Sequence, residues 1–253
     1  MPRYTTLGPM QVIDGGLSLT PSRPMLCRVL ALLLMRPNHI VSTDAIIREL
    51  WDDDPPPSAM QTIQTYIHHI RKILGDGDSF RAAREILLTR KPGYLLKVDP
   101  VDIDSSRFTE LLPQGRHKLE KGDYAGAVSS LRAALSLWDG PALADISAGP
   151  LLTAHIVDLE ESRLAALELR IEADLKLGRH RHILGELRSL VEMYPLNERL
   201  RGQLVIALNR SGRRCEALGE YHRARRMLNE EFGLEPDREL RSIQQDILTE
   251  QVS

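Results

Sequence analysis

The segment from Pro55 to Gly75 constrains the fold more than any other part of the chain. It contains no aspartate or glutamate, although acidic residues outnumber basic ones 35 to 33 in the whole sequence. Apolar residues recur in it about every 3.6 positions, which predicts an amphipathic helix with one buried stripe. We expect Ser58 to cap this helix and Gly75 to end it. The predicted stripe consists of Met60, Ile63, Ile67, Ile70 and Leu74.

The face opposite the stripe carries amides, hydroxyls, imidazoles and cations. At about 100° per residue, the residues on or beside this face are Gln61, Thr62, Gln64, Thr65, His68, His69, Arg71 and Lys72, with Tyr66 bordering the core. Such groups can donate to phosphates or read base edges in the major groove, where carboxylates would be repelled. A solvated face is the alternative, but it usually mixes both signs of charge. The sequence therefore favours a helix that contacts DNA.

A predicted β-hairpin follows this helix. Two apolar runs, Ile86–Thr89 and Tyr94–Val98, flank a Pro-Gly turn signal, and Arg90 and Lys91 are expected at the tip. Arginine at such a tip can enter a narrow minor groove, where the negative potential is strongest. A solubilising loop is the alternative for the hairpin taken alone.

Shorter elements upstream complete a small domain. Alternation and turn residues predict strands at Tyr4–Leu7, Gln11–Ile13 and Leu17–Leu19. Apolar spacing predicts a first helix that ends before Pro37, and a second helix capped by Ser42. The order of strands, three helices and hairpin predicts a winged helix-turn-helix in which the third helix reads DNA.

The second half of the chain is predicted to be entirely helical, so the fold is mainly α with small β. Gly178-Arg179 recurs as Gly212-Arg213, and Leu184-Gly185-Glu186 recurs as Leu218-Gly219-Glu220, both at an offset of 34 residues. This period is typical of tetratricopeptide-like (TPR-like) helix pairs, whose concave face usually holds proteins. Chance repetition, or a module for dimerisation or stability alone, is the alternative. We expect domains at 1–98 and 99–253.

Charge and cysteine usage agree with this division. Residues 1–98 carry 12 Lys and Arg against 9 Asp and Glu, whereas residues 99–253 carry 21 against 26. The basic surplus lies with the predicted DNA reader. Cys27 and Cys215 fall in different predicted domains, so a disulfide framework is not expected. Without an apolar leader or a long apolar span, we expect a cytoplasmic protein with no membrane contact.

The sequence carries no recognisable motif of catalysis or metal binding. The sequence lacks a phosphate-binding P-loop, a nucleophile elbow, an H-E-x-x-H pair and zinc-type cysteine spacing. We therefore expect neither an enzyme nor a bound cofactor or metal. The run Asp52 to Asp54 is interpreted as a solvated turn after the second helix.

Several segments resemble the SARP family, the Streptomyces antibiotic regulatory proteins. In the first half these are Leu7-Gly8-Pro9, Leu50-Trp51, the helix from Gln61 to Leu74, and Arg90-Lys91-Pro92-Gly93-Tyr94, which resemble an OmpR-type winged helix. In the second half, segments 104–108, 137–145 and 233–236 resemble the bacterial transcriptional activation domain that follows it in this family. The resemblance covers nearly the whole chain.

The resemblance implies a function and a set of contact residues. It implies a transcription activator of secondary-metabolite (antibiotic) genes that binds direct repeats near the promoter −35 region. Its partners would be promoter DNA, RNA polymerase with its sigma factor, and a second copy side by side. By the same resemblance, bases and phosphates are contacted by Gln61, Thr65, His68, His69 and Lys72, phosphates by Tyr66 and Arg71, and the minor groove by Arg90. A repressor with the same DNA surface, or a protein-interaction adaptor, remains as the alternative.

Overall fold

The computed structural model describes residues 2–75 and 85–249. It is mainly helical with small sheets in these residues, as predicted. The sheets are two, each with three strands. The described residues form two compact units. Among the described residues, one unit contains 2–75, 85–113 and 133–164, and the other contains 114–132 and 165–249. Compactness does not test the predicted functional boundary after residue 98, which stays a prediction.

The first unit begins with the predicted winged helix-turn-helix. Its elements are β1 Arg3–Thr5, β2 Gln11–Asp14, β3 Leu17–Ser18, α1 Pro24–Leu34, β4 Ile40–Ser42, α2 Thr43–Trp51, α3 Ala59–Leu74, β5 Leu87–Arg90 and β6 Gly93–Leu96. The first sheet is antiparallel in the order β1-β2-β3, and the second sheet has the order β4-β6-β5. The predicted order is confirmed, with strand ends that shift by one or two residues.

Strand β4 was missing from the sequence prediction. Its three residues pair with β6 from Ile40 opposite Leu95 to Ser42 opposite Gly93. A strand this short has no readable alternation, so only its partner identifies it. Ser42 also caps α2 as predicted, because its hydroxyl oxygen accepts from Ala45 N at 3.1 Å.

Residues after the hairpin belong to the same unit. A short 3₁₀ turn, Pro100–Asp102, leads into α4, Asp104–Glu120. The Asp104 carboxylate accepts from Thr6 N at 2.8 and 2.9 Å and from Leu7 N at 3.0 Å. It therefore satisfies the backbone at the end of β1, which has no further strand partner there.

A buried contact between early and later residues of this unit is made by Glu49 on α2. Its carboxylate is fully buried and accepts from three amides at the start of α6, Pro150–Lys176: Gly149 N at 2.6 Å, Leu151 N at 2.9 Å and Leu152 N at 3.0 Å. Arg28 Nε donates to the same carboxylate at 3.0 Å. Because the first amides of a helix have no partner within it, Glu49 acts as a cap supplied from about 100 residues away.

The second unit contains the predicted helical repeats. After α5 (Tyr124–Leu135) and α6 come α7 His180–Met193, α8 Glu198–Arg210, α9 Arg214–Phe232 and α10 Arg238–Thr249. Gly178 and Gly212 end the helices before α7 and α9 with φ of +74° and +81°. Arg179 N donates to Asp174 O at 3.0 Å, and Arg213 N donates to Leu208 O, also at 3.0 Å. Each bond closes the same turn 34 residues apart, so the repeat is structural.

A third copy of this turn lies earlier in the chain. Gly122 has φ of +77°, and Asp123 N donates to Lys118 O at 2.9 Å. It precedes Gly178 by 56 residues rather than 34, which explains why its repeat is out of register in the sequence. Part of the intervening chain, Ala133–Leu164, belongs to the first unit.

No helix within the described residues is both long enough and apolar enough to cross a membrane.

Candidate nucleic-acid interface

Helix α3 buries the predicted stripe with one exception. Ile63, Ile67, Ile70 and Leu74 are buried, whereas Met60 is 49% exposed. Ala59 takes the buried position of the first turn instead. The prediction for Met60 was wrong because periodicity does not decide which of two adjacent residues enters the core in the first turn.

Helix α3 begins and ends at the predicted residues, but the local geometry at both ends differs from the prediction. Ser58 occupies the N-cap position, but its side chain makes no capping hydrogen bond and its backbone, at φ −89° and ψ 7°, is not extended as a side-chain cap requires. At the other end, Gly75 follows the last turn with φ −99° and donates to Arg71 O at 2.9 Å. Gly75 thus ends the helix without the left-handed conformation that favours glycine.

The outward face of α3 is polar and free of carboxylates. Gln61, Thr65, His68 and Lys72 are exposed, and Thr62, Tyr66, His69 and Arg71 are half-buried. Thr65 Oγ1 donates to Gln61 O at 3.0 Å, which leaves its oxygen able to accept. The rings of His68 and His69 lie with their centroids 6.0 Å apart. The predicted contact residues on this helix are therefore all at least partly exposed.

The hairpin presents Arg90 and Lys91 at its tip, as predicted. Arg90 pairs with Gly93 at the end of the ladder, and Arg90, Lys91 and Pro92 are exposed. The turn is tied to the start of α2, because the Pro92 carbonyl accepts from Thr43 N and Thr43 Oγ1, both at 3.1 Å. Gly93 is required where β6 meets β4, since a Cβ there would overlap Val41 O. These contacts fix the base of the wing. The sequence carries no local signal for this role of Thr43.

Arg71 joins α3 to the wing. Its Nε donates to Leu87 O at 2.9 Å, and its Nη2 donates to Thr89 Oγ1 at 2.9 Å. Both acceptors lie on β5, so the guanidinium is engaged by the hairpin. The sequence pattern placed Arg71 beside the exposed face, and the family resemblance implied that it contacts a phosphate. Neither carried a signal for this link to β5. Among the described residues, no group of three or more His, Cys, Asp or Glu is placed to hold a metal ion.

This fold and surface define a class of protein. An acid-free third helix beside a cationic wing, followed by helical repeats, is the architecture of a DNA-binding transcriptional regulator with an OmpR-type winged helix. Two family models match the chain accordingly. "Transcriptional regulatory protein, C terminal" matches residues 18–96, and "Bacterial transcriptional activator domain" matches residues 103–248.

The chain belongs to the SARP family of transcriptional regulators, which are not enzymes. It is 40% identical to regulatory protein DnrI of Streptomyces peucetius over 96% of this chain and 90% of DnrI. It is 36% identical to regulatory protein AfsR of Streptomyces griseus over 97% of this chain but only 24% of AfsR. A solved structure of Mycobacterium tuberculosis EmbR, in complex with a low-affinity phosphopeptide, matches with a TM-score of 0.93 and 31% identity, covering 98% of this chain and 65% of that one.

Proposed function

We propose that this protein is a sequence-specific activator that binds direct repeats near the promoter −35 region and recruits RNA polymerase with its sigma factor. On this proposal it acts in the cytoplasm, on nucleoid DNA, and its targets are secondary-metabolite (antibiotic) biosynthetic genes. The observation that carries the proposal is the exposed, acid-free face of α3 beside the exposed cations of the wing tip. Carboxylates on that face would oppose phosphate binding.

The contact residues divide by chemistry. Gln61, Thr65, His68 and His69 carry paired donors and acceptors that suit base edges in the major groove. Cations and hydroxyls at the edges of the surface suit phosphates, which position the protein without reading sequence. The proposed phosphate contacts are Thr62, Tyr66, Lys72 and Lys91. Arg90 at the tip suits the minor groove, where a narrow A·T-rich stretch attracts arginine.

The two functional parts are proposed to follow the chain order. Residues 1–98 read DNA, and residues 99–253 contact polymerase, with two copies side by side on the repeat. The match of the activator-domain family to residues 103–248 supports this assignment of the second part. The helical repeats offer the kind of surface that commonly holds another protein.

The test combines footprinting with transcription by a purified polymerase holoenzyme. The full-length chain should protect a direct repeat and raise the transcript from that promoter. Lys72→Ala should weaken protection on every sequence, and Arg90→Ala should weaken it most where the minor groove is narrow. Lys121→Ala is the matched control, because Lys121 is an exposed lysine of the second compact unit, outside the proposed surface.

Three outcomes would contradict parts of the proposal. Protection with a lowered transcript would keep the DNA surface and make the protein a repressor. Equal affinity in wild type, Lys72→Ala and Arg90→Ala would refute the proposed docking. Absence of salt-dependent DNA binding by the full chain would favour the adaptor, in which the helical repeats bind a peptide.

A further inference from the structure

A winged helix reads two grooves with two separate elements. On the proposed function, α3 enters the major groove while the wing tip reaches the neighbouring minor groove. Both contacts form together only if the separation between the helix and the wing matches the spacing of the two grooves. A wing that must be ordered during binding costs conformational entropy, so a fixed separation favours tighter binding.

The structure contains a side chain placed to fix that separation. Arg71 projects from α3 and donates two hydrogen bonds to β5, to Leu87 O from Nε and to Thr89 Oγ1 from Nη2, each at 2.9 Å. Two nitrogens of one planar group define both the distance and the direction of the strand. A single bond from a flexible side chain would leave the strand free to swing about it.

The orientation of β5 explains why its carbonyl is available to Arg71. Strand β5 lies at the edge of the sheet order β4-β6-β5. Ile86 O, just before β5, accepts from Lys97 N at 2.7 Å. Successive carbonyls of a strand point in opposite directions, so Leu87 O points away from β6. Arg71 donates to this outward-pointing carbonyl, next to the exposed side of the hairpin that ends in Arg90.

We propose that Arg71 is a positioning residue for DNA recognition, which holds the wing at the separation from α3 at which both grooves are reached together. This inference rests on the proposed DNA-binding function. It gives Arg71 a role different from that of a phosphate contact, in which its charge alone would matter. Thr89 shares this positioning role, because its hydroxyl oxygen accepts one of the two hydrogen bonds from Arg71. The role does not require Thr89 to touch DNA.

The two roles predict different behaviour for conservative variants. A phosphate contact would be largely rescued in Arg71→Lys, because lysine keeps the charge. A positioning residue would not be rescued, because one ammonium group does not reproduce the planar pair of donors. Thr89→Val removes one hydrogen-bond acceptor at an exposed site without changing the charge. It therefore tests the positioning role of the Arg71–Thr89 bond even where an Arg71 variant is poorly folded.

The binding test uses the full-length chain and a duplex that the wild type selects from a random-sequence pool. We expect Arg71→Met and Arg71→Lys to weaken binding by about tenfold each, and Thr89→Val by about threefold, from loss of charge-assisted hydrogen bonds. In the Arg71→Met background, Thr89→Val should add little, because its donor is already absent. Thermal melting by circular dichroism reports whether each variant is folded. Rescue by lysine, or additive effects of the two positions, would overturn the inference.

Methylation interference separates the grooves on the same duplex. Dimethyl sulfate modifies guanine N7 in the major groove and adenine N3 in the minor groove. Wild type should be blocked by both modifications. Arg71→Met and Thr89→Val should lose the adenine N3 effect beside the wing and keep the guanine N7 effect beneath α3. A general loss of stability would weaken both effects equally.

The outcomes also separate this inference from the function on which it rests. If wild type selects no duplex from the pool, both the DNA-binding proposal and the inference are overturned. If wild type shows both interference patterns and the two variants keep them unchanged, only the positioning role of Arg71 is wrong.

Discussion

Replacing Glu49 with glutamine should destabilise the first compact unit far more than an ordinary surface change. Glu49 is fully buried, and its two oxygens receive three backbone amides at the start of α6 together with Arg28 Nε. Glutamine has nearly the same shape but only one acceptor oxygen. Its amide nitrogen would face N–H donors, and Arg28 would lose its counter-charge.

The magnitude follows from those losses. Removing one partner of a buried ion pair costs about 3–5 kcal/mol, because the other charge is left uncompensated. Hydrogen bonds to a charged group contribute roughly 1.5–3 kcal/mol each, so the unpaired amides place the cost in the same range. At roughly 2–4 °C per kcal/mol for a chain of this size, the melting temperature of the first unit should fall by about 6–20 °C.

The assay is thermal unfolding of the full-length chain, followed by amide hydrogen exchange. Exchange should accelerate at Gly149, Leu151 and Leu152, whose N–H groups donate to Glu49. Glu110→Gln is the matched control, because Glu110 is an exposed glutamate on α4. Equal melting temperatures for Glu49→Gln and Glu110→Gln would refute the idea that this buried cap stabilises the unit.

Three further predictions concern the same unit. Gly93→Ala should lower the free energy of unfolding by roughly 1–3 kcal/mol, measured by urea titration, because a Cβ there overlaps Val41 O; an unchanged midpoint would contradict the tight β4–β6 approach. A fragment of residues 1–98 should have a lower urea midpoint of unfolding than the full chain. The reason is that it lacks Asp104, the amides that donate to Glu49, and the buried side chain of Leu152. Equal midpoints would show that residues 1–98 fold independently of these contacts. Lys72→Ala should reduce the salt slope of DNA binding by about one counterion, whereas Lys121→Ala should leave it unchanged; identical slopes in both variants would exclude a phosphate contact at Lys72.

Several features of the fold were predictable because their causes are local. The stripe of α3 follows from the spacing of Ile63, Ile67 and Ile70, since residues three and four apart share one face of a helix. The wing follows from the turn chemistry of Pro92 and Gly93 between apolar runs. The helical repeats follow from glycines that recur where each helix must end in a left-handed turn. In each case the residues that cause the structure lie within a few positions of one another.

The sequence pattern does not decide which of two adjacent residues takes a buried position. The sequence favoured Met60 for the first turn of the buried stripe, but Ala59 is buried there. The spacing of a stripe defines its direction around the helix only to within about one residue, and the surrounding elements decide the rest. Ser58 occupies the predicted N-cap position, but its backbone conformation prevents the capping hydrogen bond.

The sequence by itself determined the class of protein. The acid-free helix, the basic hairpin tip and the 34-residue repeat are all visible in the sequence without any tertiary contact. Tertiary structure alone decided that Arg71 holds the wing, that Glu49 caps α6, and that Asp104 satisfies the end of β1. The physical reason is that these polar side chains take acceptors and donors 16 to 103 residues away. A single sequence reports periodicity along one element, but it contains no record of which buried polar groups will meet between elements.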